Sequence, residues 1–202
     1  LGGDISYLAR MPRLKGRATI YYTQITNQAW NRTFFNDDLL ANVNYSMTGV
    51  DQTHMGLELG IEAKLSPTWT MTAVIAKGQY TYNSRPSATI TRDNLDTATA
   101  VGRTIYWDGY RVGGMPQTAM SLGARYQSPK FWSVGGNLNY FADIYLDPNP
   151  DRRSAEAVSG LVTDDPQWNK LIDQPKLDDG VTLDIFATKS WMYKKKYRIA
   201  LN

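Results

Sequence analysis

The sequence predicts an all-β fold: an antiparallel transmembrane β-barrel segment of about eight long strands in four hairpins. Three observations predict it. The stretch 132–146 places Trp132, Val134, Gly136, Leu138, Tyr140, Ala142, Ile144 and Leu146 on one face, and Ser133, Gly135, Asn137, Asn139, Phe141, Asp143 and Tyr145 on the other. This alternation runs well past the ~5–6 residues of an ordinary soluble strand. Short turns holding Pro12, Pro67, Pro129 and Lys195 alternate with long connections at 26–53, 83–117 and 147–180. That is the asymmetry of a barrel with short periplasmic turns and long extracellular loops. Aromatic residues make up 12% of the chain, with 13 Tyr and 6 Trp. Trp69, Trp132, Trp191 and Tyr193 fall at strand ends, where an interfacial girdle belongs.

The first hairpin is predicted at 4–10 and 16–24, where Ile5, Tyr7 and Ala9, then Ala18, Ile20 and Tyr22, alternate with mostly polar residues. Residues 26–53 show no clean period and are expected to form a loop with strand extensions. The second hairpin spans 55–64 and 69–82. In its first arm Met55, Leu57, Leu59, Ile61 and Ala63 oppose Gly56, Glu58, Gly60, Glu62 and Lys64. Two glutamates and a lysine on one face are too costly for a dry core. In its second arm Lys77 and Gln79 share parity with Trp69, Met71 and Ile75, which a bulge near Ala73 would repair. Residues 83–117 are read mostly as loop, with a strand extension at 104–110. The third hairpin, 118–127 and 132–146, is followed by a loop at 147–180 with helical turns at 154–161 and 168–172. The fourth comprises 181–192 and 197–202 around the basic run Lys194, Lys195 and Lys196.

Composition narrows the function classes. The 202 residues carry a net charge of +3, and apart from 194–196 the basic residues are scattered. No nucleic-acid footprint is therefore expected. No apolar run approaches the ~18 residues of a membrane helix, although strands hide half their residues from such a window. With no Cys, neither a disulfide framework nor a thiolate site is predicted. The chain opens at Leu1 without a signal-peptide pattern, so a mature product or fragment is expected.

His54 is the single histidine, and it is expected at a loop or rim rather than at a metal. The run Asp147-Pro148-Asn149-Pro150-Asp151 resembles the start of a calcium loop, but Arg152 and Val158 stand where Gly and Glu belong, so a rigid proline turn is expected. Glu58, Glu62, Lys64, Arg125, Asn137, Asn139 and Asp143 are the lumen-facing candidates. Their charges either balance one another, a plug or water, or touch substrate directly. Asp147, Asp151, Arg152 and Arg153 are the extracellular-loop candidates. No nucleophile–base grouping, phosphate loop or cofactor fingerprint is found, so neither an enzyme nor a cofactor is expected.

Several segments go beyond pattern: 8–18 (LARMPRLKGRA), 54–64 (HMGLELGIEAK), 115–132 (MPQTAMSLGARYQSPKFW), 139–154 (NYFADIYLDPNPDRRS), 176–184 (KLDDGVTLD) and 189–191 (KSW). Together they resemble TonB-dependent transporters of the Bacteroidota type, more narrowly receptors carrying an N-terminal carboxypeptidase-regulatory-like domain. The resemblance implies that 1–202 are part of the β-barrel domain, the late portion of a larger ~22-stranded barrel whose plug domain and final strands lie outside the chain. It implies an outer-membrane receptor for TonB-dependent nutrient uptake, of a glycan, peptide or metal chelate. Implied partners are the outer-membrane lipid bilayer, the protein's own plug domain, TonB and a surface lipoprotein. Two alternatives stand beside it: a complete small eight-stranded outer-membrane barrel acting as structural anchor or adhesin, and a soluble β-sandwich binding module.

Overall fold

The computed structural model of the chain describes residues 1–36, 40–93, 98–162, 165–193 and 197–201. The strands are β1 (Gly2–Arg10), β2 (Leu14–Asn36), β3 (Ala41–Lys64), β4 (Trp69–Tyr82), β5 (Ser87–Arg92), β6 (Ala100–Thr104), β7 (Pro116–Ser128), β8 (Trp132–Ile144), β9 (Gly180–Tyr193) and β10 (Tyr197–Leu201). One short helix, α1 (Pro166–Ile172), and a 3-10 turn at Pro150–Arg153 complete the described elements. All strands belong to one antiparallel sheet in the order β1-β2-β3-β4-β7-β8-β9-β10, with β5 on β3 and β6 on β5. The sheet is open: among the described residues β1 and β10 do not pair.

Because every neighbour is antiparallel, the short turns after β1, β3 and β7 share one rim and the long connections share the other. Each short turn is closed locally. Met11 N–H donates to Leu14 O at 2.8 Å, Ser66 Oγ accepts from Trp69 N–H at 3.0 Å, and Phe131 N–H reaches Ser128 O at 3.2 Å. The basic turn at 194–196 lies outside the described residues. On the short-turn rim Tyr126 bridges the rings of Trp69 and Trp132, with centroids 5.3 and 5.2 Å away. Trp191 is exposed on β9, and the side chain of Tyr193 lies outside the description.

Paired residues on neighbouring strands project to the same side, so the register assigns the faces. One row runs Ile61, Ala73, Leu122, Leu138, Leu183 across five strands. The next runs Leu59, Ile75, Met120, Tyr140, Val181. Ile61, Leu122, Leu138 and Leu183 leave 51%, 52%, 49% and 66% of their surface exposed, far too much for a soluble core. The opposite face is polar and internally bonded. Lys15 meets Glu62 at 3.0 Å, Ser121 donates to Asn139 at 2.7 Å, and Asn139 donates to Asp184 at 2.7 Å. Among the described residues no second sheet packs on the apolar rows, so the β-sandwich alternative loses its core.

Four expectations are corrected. Residues 26–53 are largely strand: the upper halves of β2 and β3 pair from Trp30↔Met47 to Asn36↔Ala41. No bulge occurs near Ala73, where the registers on both sides of β4 are unbroken, so Lys77 stays on the apolar face. The strand after Ala100 ends at Thr104, and residues 105–110 leave the sheet to carry Ile105 and Trp107 into the core. Residues 154–161 are turns, not helix, whereas the helical turn at 168–172 is found as α1, capped by Asp165 and opened by Pro166.

The true irregularities lie higher up. Register shifts fall between Ile25 and Gln28 and between Gln28 and Trp30. Asn27 adopts φ 55 with its amide held by the Asp51 carboxylate at 2.7 Å, and Gly49 adopts φ 76, a conformation natural to glycine. These shifts keep Val50, Met47, Tyr45 and Val43 together on the polar-face side, where with Tyr82, Ala88, Ile90, Ile105, Trp107 and Val112 they form the one buried core cluster among the described residues. Trp107 sits edge-on to Trp30 at 5.0 Å.

The polar face also shows a close fit. Tyr21, Gly56 and Gly78 form a row. A Cβ on Gly56 would stand 2.5 Å from Tyr21 Oη and 2.7 Å from Lys77 O. The missing side chains let Tyr21 and Tyr80 meet hydroxyl to hydroxyl at 2.7 Å.

The face assignment predicts a contrast within one strand. Leu138→Arg is expected to cost about 2–4 kcal/mol, the range for arginine at a bilayer midplane. Asn137→Arg should cost far less, since it faces Asp184 across the ladder. Reversible unfolding of both variants in lipid measures this, and a larger cost at Asn137 would reverse the two faces.

Candidate functional site

The polar face collects six of the sequence candidates. Glu62 pairs with Lys15, Glu58 stands between Thr19 and Ala76, and Lys64 lies opposite Thr70. Arg125 Nη2 donates to Ser133 Oγ at 3.3 Å, while Asn137 stands between Gly123 and Asp184. Asn139 links Ser121, Thr182 and Asp184. These contacts run along the ladder and converge on no single point.

Asp143 departs from its predicted face. Its φ of 58 breaks the alternation of β8, and its carboxylate accepts from Thr118 Oγ1 at 2.7 Å. Thr118 is in register with Lys77 and Ala142, on the apolar side. Lys77 lies 3.9 Å and Lys176 2.9 Å from the same carboxylate, and Tyr140 donates to the neighbouring Asp179. The Lys176 ammonium is held above its usual range, first by the Asp143 hydrogen bond. This cluster closes the apolar band at the long-loop rim. Parity from sequence fails here because one left-handed residue redirects the side chain. His54, on β3 rather than in a loop, bonds Gln52 at 2.9 Å and lies against the Tyr80 ring.

At that rim the long connections are tied together. Where β4 leaves β3 at Tyr82, β5 takes its place, pairing Val43–Thr48 of β3. Gln174 binds both sides of Arg111, accepting its N–H at 2.9 Å and donating to its carbonyl at 2.7 Å, and donates again to Leu146 O at 2.7 Å. Arg153, 5% exposed, donates to the carbonyls of Ile172 and Asp173 at 3.1 and 2.8 Å and lies 4.9 Å from the Tyr110 ring centre. A cation at these carbonyls also complements the α1 C-terminus. Asp147 takes Arg32 at 3.2 Å and the Gly113 amide at 3.2 Å. Asp151 accepts from Tyr45 Oη at 2.6 Å. Burial first, and then this bond, push the Tyr45 phenol above its ordinary range.

Two cavities flank this framework. One, of about 520 Å³, is polar and includes Arg103, Asn149, Asp151 and Glu156 in its wall. Arg103 lies 3.6 Å from Glu156. The other, of about 450 Å³, is walled by Tyr106, Tyr110, Val158, Trp168 and Ile172, with Asp108 and Arg153. Arg152 and Ser154 line both. Of the four loop candidates, Asp147 and Arg153 hold the fold, Asp151 both holds Tyr45 and lines a cavity, and Arg152 opens onto both spaces. Sequence reasoning missed the aromatic wall. Tyr106 and Tyr110 come from one connection and Val158, Trp168 and Ile172 from another, the last two on α1, and no local spacing joins them. Among the described residues no group of three or more His, Asp or Glu is placed to hold a metal.

The Gln174 clamp generates a test. Gln174→Ala leaves the Arg111 amide and two carbonyls unmet, a loss of about 1–3 kcal/mol locally. Hydrogen exchange at the Arg111 amide should accelerate accordingly; unchanged protection would show that the clamp does not hold the loops.

Among known proteins, the family model described as "TonB dependent receptor-like, beta-barrel" matches residues 4–202. No curated protein and no solved structure matches the chain.

Proposed function

Since the chain belongs to the TonB-dependent receptor β-barrel family, we propose that it forms part of the wall and surface loops of an outer-membrane receptor that captures a nutrient for uptake. The family's members are outer-membrane transporters of Gram-negative bacteria, and the chain is a barrel domain of that kind. The observation that carries the reading is the two-faced sheet. Apolar rows cross five strands on one side, and bonded polar side chains lie on the other.

In this reading Glu58, Glu62, Lys64, Arg125, Asn137 and Asn139 face the lumen, where they meet water or the plug domain. The acid–base and amide ladder suits a plug that must be seated and released, because its bonds are many and exposed. Energy comes from the inner membrane through TonB, which acts on the plug rather than on this chain. The cavities at the long-loop rim are where a substrate would first be held. The segments 115–132 and 139–154 support a narrower assignment to Bacteroidota-type receptors with a carboxypeptidase-regulatory-like domain, and a surface lipoprotein partner fits that group.

The test is uptake in cells producing the receptor that carries this barrel. Labelled nutrient should accumulate only with TonB present, and an in-frame deletion of 150–172 should abolish high-affinity accumulation while the protein stays in the outer-membrane fraction. Accumulation independent of TonB, or fractionation away from the outer membrane, would overturn the reading.

A further inference from the structure

We propose that the cavity walled by Tyr106, Tyr110 and Trp168 binds a short zwitterionic peptide, with an apolar side chain in the cavity, its carboxylate on Arg152 and its amino group on Asp108. The proposal rests on the receptor reading and names a ligand class for the rim site.

Three observations carry it. The wall is apolar and aromatic, and with about 450 Å³ it holds a large side chain plus some backbone. Arg152 is exposed, lines both cavities, and has no ion pair or side-chain hydrogen bond among the described residues. Its neighbours are committed: Arg103 to Glu156, and Arg153 to two carbonyls. Asp108 stands in the same wall, exposed in its turn and likewise without a partner among the described residues.

An uncommitted guanidinium and an uncommitted carboxylate around one apolar space select a ligand bearing both charges on an apolar body. A neutral glycan needs neither charge. A polyanionic metal chelate gains from Arg152 but meets repulsion from Asp108. A peptide satisfies both, and its carboxylate can take the planar guanidinium in bidentate fashion. A second observation points the same way. Arg153, in the same wall, is 5% exposed and spends its guanidinium on the carbonyls of Ile172 and Asp173, so of the two arginines lining the cavity Arg152 is the one left to a ligand. The adjoining polar cavity then receives the backbone of a longer peptide.

The test uses the full receptor purified in detergent, with titration calorimetry of the tripeptide Ala-Phe-Ala, its N-acetyl form, its C-terminal amide and maltotriose. Acetylation and amidation should each weaken binding about tenfold, as loss of one charge-assisted contact does. Arg152→Gln should erase the amidation penalty and leave the acetylation penalty. Asp108→Asn should do the reverse, and Trp168→Ala should weaken every peptide form. Both charged positions are exposed, so the variants are expected to fold. Equal binding of free and blocked peptides, absence of peptide binding, or maltotriose binding untouched by either charge variant would overturn the proposal. TonB-dependent accumulation that persists alongside such a result would leave the receptor reading standing and sink only the peptide. Peptide discrimination in detergent without TonB-dependent uptake would do the opposite.

Discussion

The backbone hydrogen-bond ladder is what the rest of the structure depends on. In hydrocarbon no water is available to an unpaired N–H or C=O, so a spanning chain must meet these groups within itself. The described strands do this without a register break from β3 through β4, β7 and β8 to β9. An unbroken ladder locks parity, and locked parity separates an oily face from a wet one. Irregularity is deferred to the long-loop ends of the strands, where Asn27, Gly49 and Asp143 leave the extended conformation.

Much of this was legible in the sequence. The arms at 55–64 and 118–142 could be read because alternation is strict and prolines mark the turns. The upper hairpin was not, because its two bulges shift the count by a residue. Val43, Tyr45 and Met47 do alternate with Asn42, Asn44 and Ser46, a signal visible once the count restarts beyond Gly49. Lys77 was misread for a different reason. It is a charged residue at the end of an apolar row, and a one-dimensional pattern cannot say where a membrane stops. Asp143 lies beyond any parity argument, because its backbone conformation and not its position sets its direction.

The rim was legible only as composition. Asp147, Asp151, Arg152 and Arg153 stood out as a charged run, yet the fold divides them between scaffold and open cavity. Arg153 is consumed by the carbonyls that end α1, and Asp147 by Arg32 and Gly113. Such division depends on contacts between residues far apart in the chain, as with Tyr45 and Asp151. The aromatic wall is likewise a product of tertiary convergence. A scaffold braced this way can keep a shaped opening while the sheet below stays regular.

The upper end of the apolar face fixes how deep the molecule sits. Between the Trp69 ring at one rim and the Lys77 ammonium at the other, β4 rises roughly 26 Å at about 3.3 Å per residue. With the usual barrel tilt of about 35–45° the vertical span is roughly 20 Å, slightly less than a typical outer-membrane band. The amines of Lys77 and Lys176, joined through Asp143, therefore lie where acyl chains give way to headgroups. A belt this close to the usual band leaves little mismatch for the surrounding lipid to absorb.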